Sequence, residues 1–70
     1  VPRAPGSGEL NERELKVLGY LSAGLPNKAI AKEMQMSEPT IKMYVISIYR
    51  KLGVNNRTQA AVIARDLGLT

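Results

Sequence analysis

Apolar residues recur along most of this chain at spacings of three and four, and no stretch alternates in the way a half-buried strand requires. The first periodic stretch holds Leu15, Leu18 and Leu21, with Val17 beside them. Asn11 can cap it, and Glu14 three residues on can return the bond, a variant of the capping box. Leu10 and Leu15 occupy the two positions of a hydrophobic staple across that cap. Gly24 is a natural stop. A second, short helix is predicted to start at Pro26 or Asn27 and to turn Ile30, Ala31 and Met34 inward. Proline suits a first turn because the N–H it lacks has no partner there. Ser37, Glu38 and Pro39 give the third start: a cap, a charge that complements the helix dipole, and a first-turn proline. The third helix, about 37–52, carries Ile41, Val45, Ile48 and Leu52 as a buried stripe and ends at Gly53. Asn56 and Gln59 repeat the capping-box spacing before a fourth helix, about 57–67, which Gly68 closes.

These elements predict an all-α fold, a compact four-helix bundle containing a helix-turn-helix. The reason lies in the middle of the chain, where a short helix, a turn of about four residues and a longer helix follow one another. An ordinary antiparallel helical hairpin shows the same pattern, so the pattern alone does not decide between them. Residues 1–9 lie outside the periodicity and are rich in proline and glycine, which reads as a linker or a cloning remnant. Residues 10–70 then form one domain.

Composition narrows the classes. With 70 residues the chain is near the lower limit for folding without staples, and with no Cys and no His it has neither disulfides nor the usual zinc frameworks. No metal or cofactor is expected. No apolar run approaches the length of a membrane span, and no signal-peptide pattern is visible, so the expected location is cytoplasmic. Ten Lys+Arg against six Asp+Glu give a net charge of +4, which suits a polyanionic partner.

Removing the buried stripe from the third helix leaves Lys42, Met43, Ile46, Ser47 and Arg50 pointing outward, with Tyr44 and Tyr49 flanking. Lys42 is the strong donor suited to guanine O6/N7, Met43 and Ile46 are apolar groups suited to thymine methyls, and Ser47 suits a base edge or a phosphate. These four are the candidate base contacts. Asn27, Lys28, Thr40, Tyr44, Arg50 and Lys51 are the candidate phosphate contacts, which position a domain without specifying sequence. Each has a plainer reading. Lys42, Arg50 and Lys51 can simply solvate an outer face, the tyrosines can be packing residues, and two of the three methionines, Met34 and Met36, read as core or near-core. Ile46 resists this treatment, since an isoleucine on a polar face calls for a contact of some kind.

The segments LNERELKVL, GLPNKAIA, MSEPTIKMYV and RKLGVNNRTQA, with their spacings, resemble the LuxR-type helix-turn-helix domain, the DNA-binding output module of LuxR and of FixJ/NarL response regulators. The resemblance spans nearly everything except the leading residues. It implies a second helix acting as scaffold, a third acting as recognition helix in the major groove, and transcriptional regulation as a dimer on paired half-sites. It also implies an upstream regulatory domain of a two-component system in the full-length protein. By position, Lys42, Met43 and Ile46 fall where the family contacts bases, and Asn27, Lys28 and Thr40 where it contacts phosphates. The fourth helix falls on the family's dimerisation surface, where Thr58, Val62 and Arg65 are the interface candidates. The chain departs from the family pattern at Tyr44, usually His, at Pro26 and Ala29, usually the Ser and Glu of a capping box, and at Ile46, often polar or basic. Losing that second-helix cap costs roughly 0.5–2 kcal/mol, partly offset by the fixed φ of proline.

Other function classes fit less well. A protein-interaction module using Met43 and Ile46 of the same helix face is the alternative. Catalysis lacks a Cys or His nucleophile or base and a phosphate-cradling glycine loop, and the carboxylates are expected on outer faces, at helix starts or beside basic residues. RNA readout of the stacking kind needs a sheet of aromatics, and three tyrosines on helices do not supply one.

Overall fold

Three of the four expected helix starts carry a side-chain cap in the computed structural model, which describes residues 10–68. The helices are α1 (Glu12–Ser22), α2 (Asn27–Met34), α3 (Glu38–Leu52) and α4 (Arg57–Asp66), and the described residues contain no strand. The predicted linker, 1–9, lies outside the described residues. At α1 the capping box is complete: Asn11 Oδ1 accepts from the Glu14 N–H at 2.8 Å, and Glu14 Oε1 accepts from the Asn11 N–H at 3.1 Å. At α3, Ser37 Oγ accepts from the Thr40 N–H at 3.3 Å, and at α4 Asn56 Oδ1 accepts from the Gln59 N–H at 2.9 Å. The return bond at α4 differs from the box pattern, because Gln59 Oε1 accepts from Asn55 rather than from the cap residue itself. Pro26 precedes α2 without any side-chain cap, as the sequence leads one to expect.

Apolar burial holds the helices together. Val17, Leu18 and Leu21 of α1 meet Ile30 and Ala31 of α2, Ile41, Val45 and Ile48 of α3, and Ala60 and Ala64 of α4, with Leu10 closing the cluster at the N-terminal side. Each of the larger side chains contributes about 1.5–3 kcal/mol by leaving water. Leu15, Met34, Met36, Leu52 and Leu67 pack half-buried at its edge. Helices α1 and α3 each touch the other three, whereas α2 and α4 do not meet. The small side chains of Ala60 and Ala64 are fully buried, leaving α4 no bulky residue there to hold it off its neighbours.

Two of the turns that depend on left-handed backbone bracket α3. Gly53 ends α3 at φ 69°, and the Val54 N–H reaches back to the Tyr49 carbonyl at 3.0 Å, closing the helix in a Schellman-type turn. The turn after α2 has the same form, with the Met36 N–H donating to the Ala31 carbonyl at 2.9 Å, but its left-handed residue is Gln35 at φ 56°. Only Gln35, Met36 and Ser37 separate α2 from α3, one residue fewer than expected, and this places the two helices as a helix-turn-helix pair. A longer link ties α4 to the α1–α2 corner, where Arg57 Nη1 donates to the Leu25 carbonyl at 2.7 Å.

A Cβ built on Gly53 meets nothing within 4 Å, so substitution there tests backbone strain alone. Gly53→Ala is expected to lower stability by about 1 kcal/mol without altering the fold, read as a shift of the urea midpoint at unchanged slope.

Candidate nucleic-acid interface

At 100° per residue, Lys42, Ile46, Arg50 and Met43 share an arc of about 100° on the side of α3 away from its buried stripe. All four are exposed, Met43 to 72% and Ile46 to 49%. Thr40, Tyr44, Ser47 and Lys51 lie further round, on the flank that faces the start of α1. There, together with Met43, Asn11 and Glu14, they line an open groove of about 420 Å³. Lys42 borders a second groove with Asn27, Glu38 and Pro39, where the starts of α2 and α3 come side by side. Lys28, Ile46 and Arg50 are exposed and line neither groove. Because Pro26 offers no side-chain cap, the first N–H groups of α2 have no side-chain partner at this end.

The flank is organised by a residue the sequence did not single out as buried. Glu14 was expected at a helix start, returning the cap bond of α1; it sits there, but only 3% exposed. Besides closing the α1 capping box, its carboxylate accepts from Ser47 Oγ at 2.9 Å and from Lys51 Nζ at 2.9 Å, both on α3. Burial pushes this carboxyl up. The hydrogen bonds from Lys51, the Asn11 backbone and Ser47, with the Lys51 charge, outweigh that and hold it below the ordinary carboxylate value of 4.5. Of the expected contacts, then, Ser47 has given its hydroxyl proton to a hydrogen bond with Glu14 and is half-buried, and Lys51 is paired with the same carboxylate. Thr40 also has a partner, since its hydroxyl lies 2.7 Å from that of Ser37.

A signal for Glu14 was present. Glu14, Val17, Leu18 and Leu21 follow the i, i+3, i+4, i+7 spacing of a single buried face. Arg57 was missed for another reason: its partner is a backbone carbonyl on a distant corner, which no spacing reveals.

On α4, Val62 is 49% exposed, and Thr58 and Arg65, four residues before it and three after, are exposed on the same side. Among the described residues no cluster of acidic side chains is placed to hold a metal ion, and no helix is long and apolar enough to cross a membrane.

Comparisons with known proteins identify the family of the chain. The family model described as bacterial regulatory proteins, luxR family, matches residues 9–64. The chain is 51% identical over 63 residues to the DNA-binding transcriptional activator DevR/DosR of Mycobacterium tuberculosis, covering 90% of this chain and 29% of that protein. It is 46% identical over 61 residues to the transcriptional regulatory protein YdfI of Bacillus subtilis, covering 87% and 29%. With the nitrate/nitrite response regulator protein NarP of Escherichia coli it shares 44% identity over 54 residues, covering 77% and 25%. The chain thus spans less than a third of the length of these relatives.

The Glu14 cluster makes stability depend on pH in a stated direction. A carboxyl whose folded pKa is depressed contributes stability that is complete above its ordinary pKa and fades as pH falls through the lower folded value. Urea midpoints are expected to drop from near pH 6 to near pH 3, and Glu14→Gln to flatten that drop. Glu14→Gln is also expected to be about 2 kcal/mol less stable near pH 6, because it leaves Lys51 facing a neutral group. An acid limb unchanged by the substitution would show that Glu14 is not the titrating group.

Proposed function

The chain belongs to the luxR family of bacterial regulatory proteins, and from that premise we propose that it is a sequence-specific DNA-binding domain of a transcriptional regulator, with α3 lying in the major groove. The observation that carries the reading is the exposed arc of α3, on which Lys42 and Arg50 bracket Met43 and Ile46 in a chain of net charge +4. Lys42, Met43 and Ile46 face the base edges, and Ser47 borders them with only its oxygen lone pairs to offer. Asn27, Lys28, Thr40, Tyr44, Arg50 and Lys51 take the phosphates, Lys51 while held by Glu14. The uncapped start of α2 adds backbone N–H donors of the kind that suit a phosphate oxygen.

The full-length protein is, on this reading, a response regulator in which an upstream regulatory domain controls the present one, as the similarity to the response regulator NarP suggests. It acts in the bacterial cytoplasm, on the nucleoid. Two copies pair through α4 at Thr58, Val62 and Arg65, and the pair binds paired half-sites. A single domain binds weakly, at roughly 10⁻⁴–10⁻⁶ M for non-specific sequence, and the second half-site supplies avidity.

Fluorescence anisotropy with a short duplex tests the central reading. Affinity is expected to fall steeply with salt, and Lys28→Ala to reduce the slope of log affinity against log salt by about 1. Lys42→Ala is expected to cost about 1–3 kcal/mol and to relax preference at one base pair. Binding indifferent to both lysines and to salt, alongside a protein complex lost on Ile46→Ala, would favour a protein-interaction module, the reading that the exposure of Met43 and Ile46 otherwise supports. Val62→Glu is expected to leave affinity for one half-site unchanged and to abolish the gain from a second, measured on duplexes carrying one or two sites.

A further inference from the structure

The distribution of hydrogen-bond donors along α3 is uneven. Lys42 and Arg50 are eight residues apart, about 12 Å along the axis. Between them the outward arc presents Met43 and Ile46, the two most exposed large apolar side chains of α3. Of the hydroxyls that border this stretch, Ser47 donates to Glu14 Oε2 at 2.9 Å, and Thr40 lies 2.7 Å from the Ser37 hydroxyl. The middle of the face therefore meets a partner through carbon and sulfur. The cations at its two ends, in a chain of net charge +4, select a polyanion rather than an apolar protein surface. A major groove offers one apolar group for such a surface to cover, the C5-methyl of thymine.

Resting on the DNA-binding reading above, we propose that α3 selects its sites through thymine C5-methyl groups, with Met43 and Ile46 as the specificity-determining contacts. The two side chains act differently. Isoleucine is stiff at χ1, so Ile46 covers one fixed base position. Methionine is unbranched and adaptable, so Met43 covers a methyl at either of two neighbouring positions. Lys42 supplies the guanine-directed hydrogen bond beside them. The Glu14 carboxylate is part of this selectivity, because by engaging the Ser47 hydroxyl proton it removes a donor that would otherwise reward a base-edge acceptor.

The experiment uses this chain and a randomised duplex pool, from which a bound sequence is enriched. That duplex is then rebuilt with 2′-deoxyuridine in place of each thymidine in turn, which removes only the methyl. Anisotropy is expected to show about a four-fold loss of affinity at each fully covered methyl. Ile46→Ala is expected to erase the loss at one position and Met43→Ala at another, whatever each substitution does to overall affinity. Both side chains are exposed, so the amide spectrum of each variant is expected to show an intact fold. Enrichment and salt-sensitive binding with no uracil penalty, or with a penalty that survives both substitutions, overturns the methyl-reading proposal and leaves the DNA-binding reading standing. Failure of the pool to bind at any salt concentration overturns both.

Discussion

A single buried carboxylate sets how α3 sits on α1. Removing Glu14 from water is costly unless its charge is paired and its oxygens are hydrogen-bonded, and here a backbone N–H, a hydroxyl and an ammonium all converge on it. Ser47 and Lys51 are one turn apart, so the carboxylate grips α3 at two levels and resists rotation of the helix about its own axis. The apolar stripe already fixes which side of α3 faces inward. The grip on the flank fixes the remaining angle, and with it the direction in which Lys42, Met43 and Ile46 point.

Much of the fold was legible because the signals are local. Caps and stripes each involve residues within a turn or two of one another, and the predicted side-chain caps are observed at α1, α3 and α4, although the return bond at α4 goes to Asn55. Glu14 shows where that kind of reading stops. Its residue type argued for the surface and its spacing for the buried face, and only partners 33 and 37 residues away resolve the conflict. Gln35 is harder still, since its left-handed backbone is imposed by the turn and nothing about a glutamine announces it. The candidate site divides the same way. Exposure of Met43 and Ile46 followed from subtracting the stripe, whereas the engagement of Ser47 and Lys51 depends on which helix lies across the flank.

Family membership accounts for the architecture of the described residues but not for the chemistry of the exposed arc. The side chains carried on that helix face belong to this chain. Here they combine cations at the ends with an apolar centre, an arrangement that, on the proposed function, separates attraction from discrimination: the charges would act on any duplex, and the carbon surface only where a complementary group protrudes.

The link between α2 and α3 has a consequence for the entropy of association. All three of its residues are already committed, since Gln35 makes the left-handed turn, Met36 packs against the core, and Ser37 caps α3. No residue is left over to act as a hinge. On the DNA-binding proposal, α2 and α3 therefore reach a duplex as one preformed body, and engaging it freezes no backbone between them. The ordering cost that remains falls on the long side chains of Lys28, Lys42 and Arg50, whose rotamers are free until the partner arrives.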